Sequence, residues 1–284
     1  MIGFTKRNLL LFFKDKTSVF FSLLAVFIII ALYALFLGDV WVNSFKGMEG
    51  TRYLVDSWIM SGIVAVTSVT TTMGAFGTMV EDKAKKINKD ITASPLTRRS
   101  IAGGYILSAY LIGVIMCLVT LVLAEIYIVA NGGALLDFPT LLKVVGLILL
   151  STFMNTSMVF FVVSFFKNTN AFATASTVIG TLIGFLTGIY VPIGQLPDAV
   201  QWVIKLFPVS HSATLFKQVI MADPLSITFA SAPAEAVQAF KETMGVVFKF
   251  GETEATPLVS LAIILLTAVV FSGLSVYRLS RKTR

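Results

Sequence analysis

Few residues of this 284-residue chain could carry out covalent or metal chemistry. The chain has a single histidine, His211, and a single cysteine, Cys117, which excludes a disulfide, a cysteine metal site and a multi-histidine metal centre within one chain. No G-x-S-x-G, H-E-x-x-H or G-x-x-x-x-G-K-[ST] motif is present, so hydrolase, metalloprotease and phosphate-loop signatures are missing. We therefore predict that the chain is not an enzyme and holds no metal or other cofactor.

One carboxylate, Glu125, lies inside a long apolar stretch, where ionisable residues are candidates for function. Glu125 is near one end of this stretch, which favours a hydrated carboxylate over a buried proton carrier. Proton-coupled carriers usually contain a longer series of buried acids, so the sequence gives that mechanism little support.

The chain contains six long apolar stretches, and Cys117 and Glu125 lie within one of them. Each contains about 20 or more mostly apolar residues, the length that an α-helix needs to cross a hydrocarbon core of about 30 Å. Hydrophobic residues make up 56% of the chain and charged residues 13%, against about 25% charged in an average soluble domain. The sequence predicts an all-α polytopic membrane protein with six transmembrane helices, Thr17–Leu37, Trp58–Val80, Ile101–Val129, Leu141–Phe166, Ala171–Tyr190 and Pro257–Tyr277.

The distribution of Lys and Arg predicts the orientation of these spans. Of the 22 basic residues, 15 lie in segments on the side of both chain ends and six on the other side. Cytoplasmic loops of membrane proteins carry an excess of positive charge. We therefore expect a protein of the plasma membrane with both termini in the cytoplasm. The net charge of +7 then reflects membrane topology and lipid contact, and we predict no binding of nucleic acid. The apolar run from Thr17 is too long for a cleavable signal and is expected to remain as the first span.

The residues before the first span, 2–16, have the pattern of an interfacial helix. Leu9, Phe12 and Phe13 share one face, and a second face carries polar residues that include Arg7 and Asn8. A simple basic anchor that flanks the span is the alternative.

The longest loop on the side of the termini lies between spans two and three, over 81–100. A short helix is expected over 84–93, with Ile87 and Ile91 as an apolar ridge and charged residues around it. Pro95 disfavours helix at Ser94 and should end it. This mixture suits docking onto a partner protein, and a solvated loop is the alternative.

The loop between spans five and six is unusually apolar over 191–221. Prolines divide it into pieces too short to span the membrane, which predicts re-entrant helices that protein or water must cover. A hairpin lying flat on the outer leaflet is the alternative. The segment 222–256 is more polar and predicted to be external, with a short helix indicated by Val237, Phe240, Met244 and Val247.

Two spans carry stripes of small and hydroxylated residues at helical spacing. They are Thr67, Thr70, Thr71 and Gly74 in span two, and Thr177, Thr181, Gly184 and Gly188 in span five. Such residues let membrane helices pack closely. They could also line a mildly polar path for a substrate.

The order of these parts resembles the permease subunit of ABC-2 exporters of the daunorubicin-resistance and polysaccharide-export type. The likeness covers nearly the whole chain, although 222–256 looks longer than the family usually carries. The residues that carry it are Lys6-Arg7-Asn8…Phe12-Phe13-Lys14-Asp15-Lys16, Glu81-Asp82-Lys83…Lys89-Asp90…Ser94-Pro95-Leu96-Thr97-Arg98, and Pro192-Ile193-Gly194-Gln195-Leu196-Pro197 followed by Phe207-Pro208.

The resemblance implies a role for each of these segments. Two separate ATP-binding cassette ATPase subunits would hold ATP and Mg, and the N-terminal helix would help to grip them. Their closure would be transmitted through the loop residues Glu81, Asp82, Lys83, Lys86, Ile87, Lys89, Asp90, Ile91, Ser94, Pro95, Leu96 and Arg98. A re-entrant hairpin would seal the outer side, and its gate residues would be Pro192, Gly194, Leu196, Pro197, Phe207 and Pro208.

The resemblance also implies pairing of two permeases, identical or closely related, through spans one and five. Gly184 and Gly188 would lie in that interface, and Thr67, Thr70, Thr71, Thr177 and Thr181 are candidates for the substrate path. The expected function is export of an amphipathic, lipid-like or drug-like molecule across a bacterial cell membrane. The 24 phenylalanines favour such cargo over small ions. A membrane scaffold or immunity protein without transport, and a solitary ion-coupled carrier that depends on Glu125, are the alternatives.

Overall fold

The computed structural model describes residues 1–44, 48–251 and 253–281. Lys46, Lys282 and Arg284, which contribute to the predicted charge bias, lie outside the described residues. The described helices are α1 (Ile2–Lys14), α2 (Lys16–Leu32), α3 (Gly38–Ser44), α4 (Thr51–Ala84), α5 (Ile87–Ala93), α6 (Arg98–Ala130), α7 (Phe138–Val163), α8 (Thr169–Leu186), α9 (Asp198–Leu206), α10 (Pro208–Ile220), α11 (Ala222–Thr228), α12 (Ala234–Thr243) and α13 (Pro257–Arg281). The strands β1 (Lys249–Phe250) and β2 (Thr253–Glu254) form an antiparallel pair.

Six helical segments are long and apolar enough to cross a membrane, which confirms the predicted number and order of spans. They are Lys16–Phe36, Thr51–Ala84, Arg98–Ala130, Phe138–Val163, Thr169–Leu186 and Pro257–Arg278. Successive spans run in opposite directions. Both chain ends and α5 therefore lie at one end of the bundle, which we call the basic end. Helices α9–α12 lie at the opposite end, which we call the hairpin end.

Helix α4 is the centre of the bundle. In its most apolar part 89% of the residues are buried, against 11% in α8 and 22% in both α2 and α13. It packs against α2, α6, α7, α8 and α10. Small residues permit this close packing: a Cβ at Gly113 of α6 would lie 2.8 Å from Thr72 Oγ1 and 2.7 Å from Thr152 Cγ2.

The ends of the spans differ from the prediction, most of all in span two, where α4 runs Thr51–Ala84 rather than Trp58–Val80. Helix α8 ends at Leu186 rather than Tyr190, because Gly188 adopts φ +67° and the Ile189 N–H donates to the Gly184 carbonyl, as in a Schellman motif. Helix α7 ends at Val163 rather than Phe166. These boundaries depend on local backbone geometry that hydropathy does not report.

Span one contains a turn that the sequence did not predict. Residues Tyr33–Leu37 form a π-helical turn between α2 and α3, in which the Gly38 N–H donates to the Tyr33 carbonyl. A Cβ at Gly38 would lie 2.6 Å from that oxygen, so glycine permits this turn.

The segment predicted to form a re-entrant hairpin contains α9 and α10, which meet at Phe207 and Pro208, and its re-entry into the membrane stays a prediction. Pro208 occupies the first turn of α10, where its missing N–H costs no hydrogen bond. Most of α10 is buried, whereas only Ile204 of α9 is. In the external segment, the predicted helical spacing holds only within α12, and Met244 and Val247 follow its end.

Candidate functional site

A buried ion pair that sequence reasoning missed fixes α1 at the basic end. The Arg7 guanidinium donates two hydrogen bonds to the Asp82 carboxylate, of 2.7 and 2.9 Å. The Asp82 side chain is 5% exposed and that of Arg7 33%. Tyr105 Oη of α6 donates to the same carboxylate at 2.6 Å. The hydrogen bond to Asp82 raises the pKa of Arg7, so the guanidinium stays charged.

The face of α1 that packs on the bundle differs from the predicted one. Phe4, Thr5, Asn8 and Phe12 are buried, whereas Phe13 is exposed. Asn8 Nδ2 donates to Ser108 Oγ of α6 at 3.3 Å. Phe4, Asn8 and Phe12 recur every four residues, which was the available signal, but the prediction grouped Asn8 with Arg7 on the polar face.

Phe4 can approach α6 closely because residue 104 is glycine. A Cβ at Gly104 would lie 2.5 Å from Phe4 Cδ1. The Phe4 ring also packs edge-on against Tyr105, with ring centroids 4.9 Å apart. Helix α1 is therefore attached to both α4 and α6.

The predicted loop helix is shorter than expected. Ala84 ends α4, and α5 begins at Ile87, because Lys86 adopts φ +62° and turns the chain. A non-glycine residue in this left-handed conformation costs about 1 kcal/mol or more. The direction of α5 relative to α4 is thus set at Lys86.

The apolar ridge of α5 faces the protein rather than outward. Ile87 and Ile91 are half-buried, and Ile91 packs against the main core. Lys86, Lys89 and Asp90 are exposed. The ridge therefore holds α5 on the bundle and leaves its charged side chains accessible.

The two ends of this loop are also fixed. Ser94 is extended before Pro95 and ends α5, and Leu96 packs against the main core. Glu81 pairs with Lys85, Lys83 is half-buried, and Arg98 begins α6.

A cleft of about 500 Å³ opens in the half of the bundle nearest the basic end, between α1, α2, α4 and α8. We call it the α2/α8 cleft. Its lining combines the hydroxyl residues Ser18, Ser22, Thr70, Ser176 and Thr177 with the aromatic residues Phe12, Phe21 and Phe172. Such a mixture can contact a molecule with both apolar and polar parts.

The five threonines predicted for a substrate path are in three different environments. Thr70 and Thr177 line the α2/α8 cleft, and Thr181 is exposed further along α8. Thr67 and Thr71 are fully buried, and each donates to a carbonyl of its own helix.

At the hairpin end, three side chains donate hydrogen bonds to carbonyls at the end of span five and just after it. Ser210 Oγ donates to Leu186 O at 2.7 Å, and Tyr33 Oη donates to Ile189 O at 2.7 Å. Lys217 Nζ donates to Thr187 O at 3.0 Å. Carbonyls at a helix C-terminus lack partners within the helix, so these bonds satisfy them.

Lys217 has an unusual environment, because its side chain is completely buried. Its Nζ also donates to Met244 O at 3.0 Å and lies 5.3 Å from the centre of the Trp58 ring. Burial lowers the pKa of Lys217 to about 7.

The predicted gate residues lie around the α9–α10 hairpin, and two of them, Gly194 and Leu196, contact the external segment. A Cβ at Gly194 would lie 2.7 Å from Thr243 Cα, so the 3₁₀ turn Ile193–Gln195 packs tightly against α12. Leu196 packs against the small core that contains Phe248. Pro192 and Pro197 precede the 3₁₀ turn and α9, and Phe207 and Pro208 separate α9 from α10.

The two glycines predicted for a dimer interface contact side chains of their own chain. A Cβ at Gly184 would lie 2.1 Å from the Tyr190 ring, and one at Gly188 would lie 2.6 Å from Ile193 Cγ1. Packing within the subunit therefore accounts for both glycines, and their role in pairing stays a prediction.

Glu125 is half-buried near the hairpin end of α6. Its Oε2 accepts a hydrogen bond of 3.0 Å from the Leu136 N–H. The carboxylate therefore fixes the loop between α6 and α7, and its shallow depth in the membrane stays a prediction.

The six spans, with the buried helix α4 at their centre, define a multi-pass membrane protein with a cleft between its helices and a charged helix exposed at one end. A family model described as ABC-2 family transporter protein matches residues 40–277. The chain belongs to this family. The matched region begins after α1 and α2 and includes α5, α8 and the hairpin. A comparison with curated proteins finds no match.

Proposed function

We propose that the chain is the permease subunit of an ATP-driven exporter and works with two separate ATPase subunits. The observation that carries this proposal is the exposed charge of α5, held outward by the half-buried Ile87 and Ile91. Proteins of this family generally work with ATP-binding cassette subunits. The sequence contains no phosphate loop, so ATP and Mg would be bound by the partners. The basic end would then face the cytoplasm of a bacterial cell.

The ion pair of α1 offers a route from α5 into the bundle. Asp82 lies on the last turn of α4, just before the turn at Lys86 that sets the direction of α5. A force on α5 would reach Asp82, and through its bonds Arg7 of α1 and Tyr105 of α6. Pushing α5 would therefore move three helices together.

The cargo that fits the α2/α8 cleft best is an amphipathic, lipid-like or drug-like molecule. The cleft volume of about 500 Å³ falls within the range of small-molecule sites, about 300–1,000 Å³. Thr70 and Thr177 belong to the proposed path. Thr67 and Thr71 are left out of it because they are buried in the helix packing.

The exposed face of α8 supports pairing with a second permease. Four small or polar side chains lie on one stripe of this helix, and all of them are exposed: Asn170, Thr174, Thr177 and Thr181. The three threonine hydroxyls donate to carbonyls of their own helix, so they need no hydrogen-bond acceptor on another helix when the stripe packs against one. Such stripes let membrane helices approach each other.

The proposed partnership is tested by Asp90→Lys. Asp90 is exposed, so the change should leave folding intact and replace an acid by a base on the proposed docking face. Like charges across an interface are costly, and we expect at least about a tenfold loss of co-purified ATPase activity. The measurement is the ATPase activity that elutes with the tagged protein from its native membrane. Asp198→Lys, at an exposed position of α9, is the control and should lose nothing.

Two results would contradict the proposal. Unchanged co-purification in Asp90→Lys would remove α5 as the docking element. A wild-type protein that purifies without any ATPase, under conditions that preserve membrane complexes, would favour a scaffold or a solitary carrier.

The proposed cargo site is tested by Gly74→Leu. A Cβ at Gly74 has no neighbour within 4 Å, so leucine should fit without strain and fill part of the α2/α8 cleft. We expect the stimulation of ATPase by a lipid extract of the same membrane to fall several-fold, with subunit assembly unchanged. Gly146→Leu also enters open space, on α7 and away from the cleft, and is the control. Equal stimulation in both variants would place the cargo elsewhere.

A further inference from the structure

We infer that a second cavity, at the hairpin end, binds a small amphipathic anion, that is, a carboxylate or phosphate group attached to an apolar body. The cavity lies between α10, α11, α12 and the start of α13, and we call it the external cavity. Its volume of about 530 Å³ falls within the range of small-molecule sites, about 300–1,000 Å³. The inference goes beyond the proposed function, which gives the segment 222–256 no role, and does not depend on it.

The inner walls of the external cavity are apolar. Leu225 of α11 and Val237 of α12 belong to its lining, and so do Val246 and Val247, which follow α12. Leu225, Val246 and Val247 are buried although they border the cavity, so they form its inner part. An apolar body placed there would be removed from water, which favours binding.

Hydrogen bonds hold these walls in position without a ligand. The carbonyl oxygen of Lys241 accepts from the N–H groups of Val246 and Val247, at 2.8 and 3.3 Å, which turns the chain back after α12. Gln218 Nε2 of α10 donates to Val246 O at 2.8 Å and joins this turn to the hairpin. The cavity is therefore largely formed in advance, as small-molecule sites usually are.

Lys241 supplies the charge that selects an anion. Its half-buried side chain lines the cavity, and among the residues that the structure describes no carboxylate forms an ion pair with it. Glu254, the other charged residue of the lining, is exposed to water and accepts from Gln238 Nε2 at 2.9 Å. Glu242 lies 4.0 Å from Lys249. The charge left without a partner is thus positive, and a carboxylate or phosphate would give it a charge-assisted hydrogen bond.

The mouth of the external cavity lies where the chain enters span six. Pro257, the first residue of that span, and the exposed Ala222 and Ser226 belong to the lining. Amphipathic molecules collect at the boundary between lipid and water, which is where a span begins. An anion derived from the membrane and an anion dissolved outside it would both reach the cavity from this position.

Equilibrium dialysis of radiolabelled octanoate tests the inference on the full-length protein in phosphatidylcholine nanodiscs. Empty nanodiscs measure the part of the octanoate that dissolves in lipid. We expect the protein to bind octanoate at least about tenfold more tightly than neutral octanol or cationic octylammonium, which have the same chain length. Octylammonium that binds as tightly as octanoate, or octanoate retained only as much as by empty nanodiscs, would overturn the inference.

Lys241→Gln tests the charge. Octanoate should bind about tenfold more weakly to this variant, because a neutral amide replaces the ammonium, whereas octanol binding should stay the same. Lys249→Gln is the matched control, because Lys249 lies in the same segment but outside the lining, and it should bind octanoate normally. A folded Lys241→Gln protein that binds octanoate as tightly as the original would also refute the anion site.

Ala222→Phe tests the position of the site. The aromatic ring would enter the cavity from its exposed mouth, so the binding of octanoate and of octanol should both fall several-fold. Ala236→Phe, at an exposed position of α12 outside the lining, is the control. Undiminished binding in a folded Ala222→Phe protein would place octanoate elsewhere and contradict the inference. If this variant does not fold, Lys241→Gln decides the question.

Two further measurements separate the external cavity from the proposed cargo site and identify the source of the anion. Gly74→Leu, which fills part of the α2/α8 cleft, should leave octanoate binding unchanged, and loss of binding there would assign octanoate to the cleft instead. Phosphatidylglycerol added to the nanodiscs should displace octanoate if the ligand is a lipid anion. Octanoate that stays bound supports a dissolved anion at the same site. No ATPase is present in these assays, so their failure would leave the proposed partnership untouched.

Discussion

In Arg7→Met we expect α1 to leave its position on the bundle and the co-purifying ATPase activity to be lost. The change leaves the Asp82 carboxylate, 5% exposed, with Tyr105 as its remaining partner at this site. Removing one partner of a buried ion pair typically costs about 3–5 kcal/mol. Because the Arg7 side chain is partly exposed to solvent, we expect a loss of about 3 kcal/mol of stability, the lower end of that range. Release of α1 should appear as rapid trypsin cleavage after Lys14 and Lys16.

The asymmetry of the pair provides the control. In Asp82→Asn the neutral amide can still accept from Tyr105, and Arg7, which is 33% exposed, can turn towards water. This variant should keep α1 docked better than Arg7→Met does. The double variant Arg7→Met/Asp82→Leu removes both charges and should recover much of the protection. Equal trypsin sensitivity in both single variants would show that the ion pair does not hold α1.

In Gly184→Leu we expect damage inside the subunit rather than loss of pairing alone. The new side chain would overlap the Tyr190 ring, which lies 2.1 Å from the position of a Cβ. Overpacking of this kind costs about 1–3 kcal/mol. Thermal unfolding of the purified protein should therefore occur at a lower temperature, and the hairpin end should be the first part to become accessible to protease.

Thr181→Trp tests pairing of two permeases, whereas Gly184→Leu tests packing within one subunit. Thr181 is exposed on the stripe of α8 proposed to meet a second permease, so a large ring fits the single subunit but keeps two helices apart. We expect a normal unfolding temperature and at least about a tenfold weaker dimer, measured as the monomer fraction against concentration in detergent. Leu266→Trp, on the exposed face of α13, should not alter the dimer. A Thr181→Trp protein that dimerises normally would place the interface elsewhere.

The spans could be predicted because the required signal is local. A run of about 20 apolar residues identifies a membrane helix whatever it packs against. The break at Ser94 and Pro95 is local in the same sense, since proline restricts the residue before it. The number and order of the spans and the end of α5 at Ser94 are as predicted, whereas the ends of the spans are shifted.

The contacts that define the candidate site could not be predicted, because they join residues that are distant in the sequence. Arg7 and Asp82 are 75 positions apart, and neither differs in sequence from a charged residue exposed to solvent. Lys217 was counted only as a basic residue in a loop, because nothing near it in sequence reports its complete burial. Likewise, the sequence could not separate the buried Thr67 from the cleft-lining Thr70, since both belong to one hydroxyl stripe.

The π-helical turn in span one changes the direction in which side chains point around the helix axis, so the residues before it and after it lie on different faces. Each additional residue in a turn rotates the rest of the helix by about 100°. Before the turn, α2 borders the cleft, and after it Trp41 of α3 packs edge-on against Trp58 of the central helix. The extra residue of the wide turn therefore lets one span present one face to the cleft in α2 and a different face to the central helix in α3.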